Sequence, residues 1–200
     1  MIATKVTSDR FKVSGFLARR LGEHRVSVCA VLQRAGLPAA FFQQEKVYAT
    51  TAELFALWQA IGDASAAPAI GLKLGAEPRF ERYQPSAITA VCSRSFRDAL
   101  QRIARSKKLT CPEEIRVRPS GDEATVEFIY LEADEFQPDV LVDLGLSWIL
   151  AIGRRGTDGH GREVCPGLRR TGRGFHHLAL QEGRRDPSWR TRGSHLTQRR

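Results

Sequence analysis

The sequence predicts an α+β fold, a mainly helical domain carrying a β-hairpin or small antiparallel sheet, followed by a disordered arginine- and glycine-rich tail. Three observations carry this expectation. Apolar residues recur at helical spacing between capping residues through most of 14–152, a period-two alternation interrupts them around 115–131, and both periods stop after Ile152. The expected order is an N-terminal arm over 1–13, a folded domain over 14–155 and an unstructured basic tail over 156–200.

Phe16, Leu17 and Leu21 mark a short amphipathic helix that closes near Gly22. Ser27 caps a second helix with Val28, Val31 and Leu32 as its apolar stripe, and Gly36 ahead of Leu37-Pro38 supplies a left-handed stop. A third begins at the capping box formed by Thr50 and Glu53, carries Leu54, Leu57, Trp58 and Ile61 inward, and is expected to end at Gly62. Pro68 opens a short helix through Ile70 to Gly75, and Pro78 to Pro85 reads as an irregular connection. Ser95 then caps a helix whose Phe96, Ala99, Leu100 and Ile103 face the core and whose Arg97, Arg102 and Arg105 face water.

Ile115 and Val117 alternate with Arg116 and Arg118, Pro119-Ser120-Gly121-Asp122 supplies a turn, and Ala124 to Leu131 returns as the second strand of a hairpin. Pro138 and Asp139 begin a last helix, apolar nearly all round from Val140 to Ile152. Such a helix must be covered on most sides, in a core or by a partner.

Two hundred residues with 42% apolar content suit one domain with a sizeable core. The formal charge of +9 is unevenly spread. Residues 1–152 hold 19 Lys plus Arg against 18 Asp plus Glu, net +1, whereas 153–200 hold 12 Arg, no Lys and 4 acids, net +8. The basicity therefore belongs to the tail. Twelve arginines without a lysine, beside 9 of the chain's 17 glycines, are what out-of-frame reading of a GC-rich message would give, and this origin is the expectation. The alternative is a small basic protein whose arginine-rich tail holds nucleic acid through counterion release.

No catalytic motif is visible: there is no G-x-S-x-G, no H-E-x-x-H, no Walker loop and no G-x-G-x-x-G after a strand, so an enzyme is not expected. His24 is the only histidine before the tail, and it reads as a helix-end residue. Cys29, Cys92, Cys111 and Cys165 lack metal-ligand spacing and read as reduced, buried or incidental thiols; neither metal nor cofactor is expected. The N-terminus lacks a secretory signal and no run approaches the ~18 apolar residues of a membrane span, so the expectation is a cytoplasmic protein without a membrane partner. Phe16 to Gly36 has the outline of a helix-turn-helix, but its second helix offers base edges only Gln33 and Arg34. Ordinary packing is the expected role.

The runs LQRAGLP (Leu32 to Pro38), PAIGLKLG (Pro68 to Gly75) and SRSFRDALQRIARSKKL (Ser93 to Leu109), followed by a hairpin and an apolar helix, resemble the N-terminal, arabinose-binding-like domain of AraC-type transcriptional regulators. The resemblance covers roughly 14–155 and lies in order and spacing. It implies an effector-sensing and dimerising module, with a small-molecule effector and a homodimer as partners. It also implies promoter DNA as partner only in full-length relatives, whose helix-turn-helix domain is not readable after Gly153. Candidate pocket residues are the aromatics Trp58, Tyr83 and Trp148, which combine an apolar wall with a polar handle. Arg94, Arg97 and Arg105 are candidates for an anion contact, weighed against the reading of a solvated helix face.

Overall fold

A computed structural model describes residues 8–76, 85–93, 96–120, 123–156, 167–171 and 175–179. The elements in chain order are β1 (Phe11–Val13), α1 (Phe16–Glu23), α2 (Val28–Arg34), a 3₁₀ turn (Phe41–Gln43), β2 (Val47–Ala49), α3 (Thr51–Ala64) and α4 (Ile70–Gly75). They continue with α5 (Pro85–Val91), α6 (Phe96–Thr110), β3 (Glu113–Ser120), β4 (Glu123–Tyr130), α7 (Asp139–Gly156), β5 (Gly167–Thr171) and β6 (Phe175–Ala179). The described residues are mainly helical, and the strands form antiparallel pairs, β1 with β2, β3 with β4 and β5 with β6. The class is α+β.

Local chemistry explains the helix boundaries. Ser27 accepts from the Ala30 amide at the start of α2, and Gly36 takes φ 66° just beyond its end. Thr50 and Glu53 close a reciprocal box on α3, with the Glu53 amide donating to Thr50 Oγ1 at 3.2 Å and the Thr50 amide to Glu53 Oε2 at 2.8 Å. His24 is the C-cap of α1.

The buried side chains form two apolar clusters. The first gathers β1, β2 and α1 to α4 around Leu21, Val31, Leu57, Ile61 and Ile70. The second gathers α5, α6 and the β3–β4 hairpin around Leu100, Ile103, Val126 and Ile149. α7 belongs to both: Leu141 joins the first, and Val142, Leu146, Ile149 and Ile152 the second. Its all-round apolarity is thus satisfied from two sides within the chain.

α4 lies against α7 so closely that a Cβ on Gly71 would collide with the carbonyl oxygen of Val140, and one on Gly75 with that of Leu144. Only glycine permits this approach of two backbones. Side chains from both neighbours then hold the carbonyls of the short helix. Ser147 Oγ of α7 donates to Leu72 O at 2.8 Å, and the Arg20 guanidinium of α1 donates to Lys73 O at 3.3 Å and Leu74 O at 2.5 Å.

Several expectations need correction. Phe11 and Val13, assigned to an arm, are 5% and 7% exposed, because β1 pairs with β2 and closes the first cluster. α3 runs past Gly62 to Ala64; Gly62 lies within the helix, where a Cβ would meet Val140 Cγ2 at 2.7 Å. α5 has no counterpart in the sequence reading, since its stretch offers only Ala87, Ile88, Ala90 and Val91 as apolar positions. α7 continues past Ile152, with Gly153 packed on the Phe96 ring at 3.2 Å from where a Cβ would stand. Beyond α7 the described segments are β5 and β6, which pair in register from Gly167↔Ala179 to Thr171↔Phe175. The period-two signal is brief there, with Leu168 opposite Leu178 as its apolar pair. The remainder of 157–200 lies outside the described residues.

Candidate functional site

A cavity of about 200 Å³ opens where the two clusters meet. β1 and α1 contribute Phe11 and Leu17, α3 contributes Leu54 and Trp58, α4 contributes Leu74, and α7 contributes Leu141, Leu144 and Trp148. From the second cluster come Phe128 and Tyr130 of β4, Glu113 of β3 and Lys107 of α6. Most of the wall is aromatic or aliphatic, and Lys12, Ser14, Arg20 and Gln137 add polar groups to Lys107, Glu113 and Tyr130, the mixture that small-molecule sites use.

The main polar group of the wall is an ion pair within a cluster. Lys107 Nζ donates to Glu113 Oε2 at 2.6 Å, and the two side chains are 20% and 4% exposed. Cys111 Sγ lies 3.9 Å from the same oxygen. Tyr130 is the cross-strand partner of Glu113, and its ring stands 5.7 Å from Phe11 and 5.0 Å, edge-on, from Phe55. Burial and then the Glu113 carboxylate push the Tyr130 phenol well above its ordinary range, so it stays a neutral donor and acceptor. Burial, the largest influence, also pushes the Cys111 thiol up; the neighbouring Lys107 opposes it without reversing it. For Lys107 burial is again the largest influence and works downward, but the combined pull of Glu113 and Cys111 exceeds it, and the ammonium is held more firmly than usual.

These polar residues were legible but overlooked. Lys107 follows Ile103 by four residues, in step with the inward stripe of α6. Glu113 alternates in phase with the buried Ile115, and Tyr130 with Val126 and Phe128. A charged or phenolic residue in step with an apolar stripe was the available signal.

Of the aromatics singled out from sequence, Trp58 and Trp148 stand on the cavity wall, Trp58 being 6% exposed and Trp148 half-buried. Tyr83 lies outside the described residues, as does Arg94. Arg97 and Arg105 are both on α6, eight residues and so about 12 Å apart along its axis. Arg105 is exposed and donates to the Gln101 carbonyl of its own helix at 3.3 Å. Neither arginine lines the cavity. Among the described residues no group of three or more His, Cys, Asp or Glu could hold a metal ion, and no helix is long and apolar enough to cross a membrane.

No curated protein matches the chain. A family model does: the arabinose-binding domain of AraC transcription regulators, N-terminal, matches residues 26–164, more than half of the sequence. That span contains α2 through α7 and most of the residues that line the cavity, while β1 and α1 complete the cavity from outside it. The chain belongs to the family of arabinose-binding N-terminal domains of AraC transcription regulators.

Proposed function

We propose that this protein is a ligand-sensing module of transcriptional regulation and that the cavity between its two clusters is the effector site. One observation carries the reading: the lining draws on both clusters and on α7, which belongs to each. A ligand there contacts elements of both halves at once and can favour one arrangement of them over another, which is what a sensor requires. Trp58 and Trp148 supply wall and Lys107, Glu113 and Tyr130 the polar end; the role is binding, not catalysis. The module works in the cytoplasm as a homodimer.

The test is a panel of small molecules titrated into the full chain, read by tryptophan fluorescence and melting temperature. A binder should raise the melting temperature with concentration by mass action. Leu144→Trp, which fills the cavity, should abolish that rise while retaining a cooperative transition. Binding that survives the filled cavity, or a panel without effect on either readout, would count against the site.

The charge of residues 153–200 favours a second activity, non-specific DNA binding through the tail arginines. With several phosphates neutralised, affinity should fall on the order of 10²-fold or more from low to physiological salt, equally for a promoter fragment and a scrambled one. Fluorescence anisotropy across a salt series measures it. Sequence preference that persists at physiological salt would instead assign base reading to Phe16–Gly36.

A further inference from the structure

We infer that the last turn of α6 together with the loop 131–136 is the surface on which a second copy of this chain docks, with the acidic loop of each copy set on the basic helix end of the other. This inference rests on the homodimer reading above and goes beyond it by naming the face. Among the described residues the three most exposed large apolar side chains all lie here: Leu109 at 80%, Phe136 at 69% and Leu131 at 52%. Single apolar side chains in water are ordinary, whereas several gathered in one place and rimmed by charge mark a contact surface.

The loop is anchored at three points and projects between them. Its flanking residues Tyr130 and Gln137 stand on the cavity wall, and Ala133 packs on the first cluster. Leu131, Glu132, Asp134, Glu135 and Phe136 are left exposed. The Leu131 amide donates to Pro112 O at 2.9 Å, which sets the loop beside the end of α6. On that part of α6 Arg105, Lys108 and Leu109 are exposed, and their spacing of three and four residues puts them on one side of the helix.

Neither half of this face finds its counter-charge within the chain. Among the described residues Glu132, Asp134 and Glu135 make no hydrogen bond or ion pair, and neither does the Lys108 ammonium. Arg105 donates to the Gln101 carbonyl of its own helix at 3.3 Å, whereas Arg102 is already paired with Asp98 at 3.1 Å. Acid and base thus lie side by side, and a second molecule can set them face to face. A two-fold axis does so twice, because each contact recurs with the roles exchanged. Nucleic acid would be repelled by the carboxylates of the loop, and a basic partner by Arg105 and Lys108; a second copy matches both. Because Lys107 sits between Arg105 and Lys108 in the chain, and Tyr130 and Gln137 bound the loop, what fills the cavity bears directly on this surface.

The experiment is sedimentation equilibrium of the full chain over a concentration series, with two charge-reversal variants. The helix variant, Arg105→Glu with Lys108→Glu, and the loop variant, Glu132→Lys with Glu135→Lys, should each raise the dimer dissociation constant on the order of tenfold or more, since every reversed charge meets a like charge twice per dimer. All four positions are exposed, so both variants should keep the parent's far-ultraviolet circular dichroism. Mixed in equal amounts the two should form a heterodimer about as tight as the parent, and a chain carrying all four changes should recover the homodimer. A variant that had merely misfolded could do neither. A parent chain that stays monomeric throughout the series would overturn both the homodimer and its face. A dimer that none of the variants weakens would overturn the face and leave the homodimer standing. Weakened variants that fail to rescue one another would overturn the acid-on-base pairing and with it the inference.

Discussion

The two apolar clusters are built on different rules. The first closes itself locally, through a capping box on α3, a serine cap on α2, a glycine stop and strands β1 and β2 that return its N-terminus to its own helices. The second depends on α7: apart from the hairpin face and the stripe of α6, its fully buried Leu146 and Ile149 come from that one helix. Because α7 also supplies Leu141 to the first cluster and packs backbone to backbone on α4, neither cluster can lose it alone. Two cores that share one helix should behave as a single cooperative unit.

The largest effects test that unity. Leu57→Ala in the first cluster and Ile149→Ala in the second remove side chains that are 0% exposed and should each cost about 2–5 kcal/mol. Denaturant melts followed by far- and near-ultraviolet circular dichroism should shift together for both variants. If Ile149→Ala splits the transition, the second cluster is a separate unit and α7 does not couple them.

The next test acts on the contact with α4. Gly75→Ala places a methyl against the Leu144 carbonyl and 2.7 Å from Ser147 Cβ, and backbone cannot swing aside, so a loss of about 1–3 kcal/mol is expected. Gly62→Ala meets only the end of the Val140 side chain and should cost less. Gly22→Ala, with nothing within 4 Å of its Cβ, should gain up to about 1 kcal/mol from helix propensity. Equal losses at 75 and 22 would deny the close approach.

Smaller still is the cap. Thr50→Ala removes the acceptor for the Glu53 amide and should cost about 1 kcal/mol, with no change in the sharpness of the melt.

The last effect is gradual and lies at the cavity. Cys111 and Tyr130 have folded-state pKa values raised above their ordinary 9.0 and 10.0, and Lys107 is raised above 10.5. All three groups therefore bind protons more tightly when folded. Their stabilisation is complete below the unfolded values and is lost as pH rises through the folded ones. The melting temperature should fall from about pH 9 upward. Tyr130→Phe should flatten the fall at its upper end, and a melting temperature insensitive to pH up to 11 would place these groups in water.

Sequence reading fared differently across the two halves for a physical reason. Thr50, Ser27 and Gly36 act on backbone groups within four residues, so their meaning is local and visible. β1 and β2 are three residues each and are joined only when α1 and α2 fold between them, so Phe11 and Val13 looked like an arm. The roles of Gly71 and Gly75 are set by α7, about 70 residues further on, and no local pattern announces them. At the cavity, Trp58 was visible as a large aromatic on a helical stripe, whereas Lys107 and Glu113 gain their meaning from each other across the α6–β3 corner. Each sits in step with a buried stripe, which charge by itself had hidden.

Arg20 and Ser147 reach α4 at main-chain oxygens, not at side chains. Any amino acid at 72, 73 or 74 presents the same carbonyl to them. Mutation can therefore alter Leu72 and Lys73 without breaking these bonds to α1 and α7, while Leu74, 2% exposed, is held by its packing, and a change at 20 or 147 removes the bonds whatever α4 contains. The outward-facing residues of that segment, Leu72 and Lys73, are free to drift and to acquire new surface contacts at no cost to the joint beneath them.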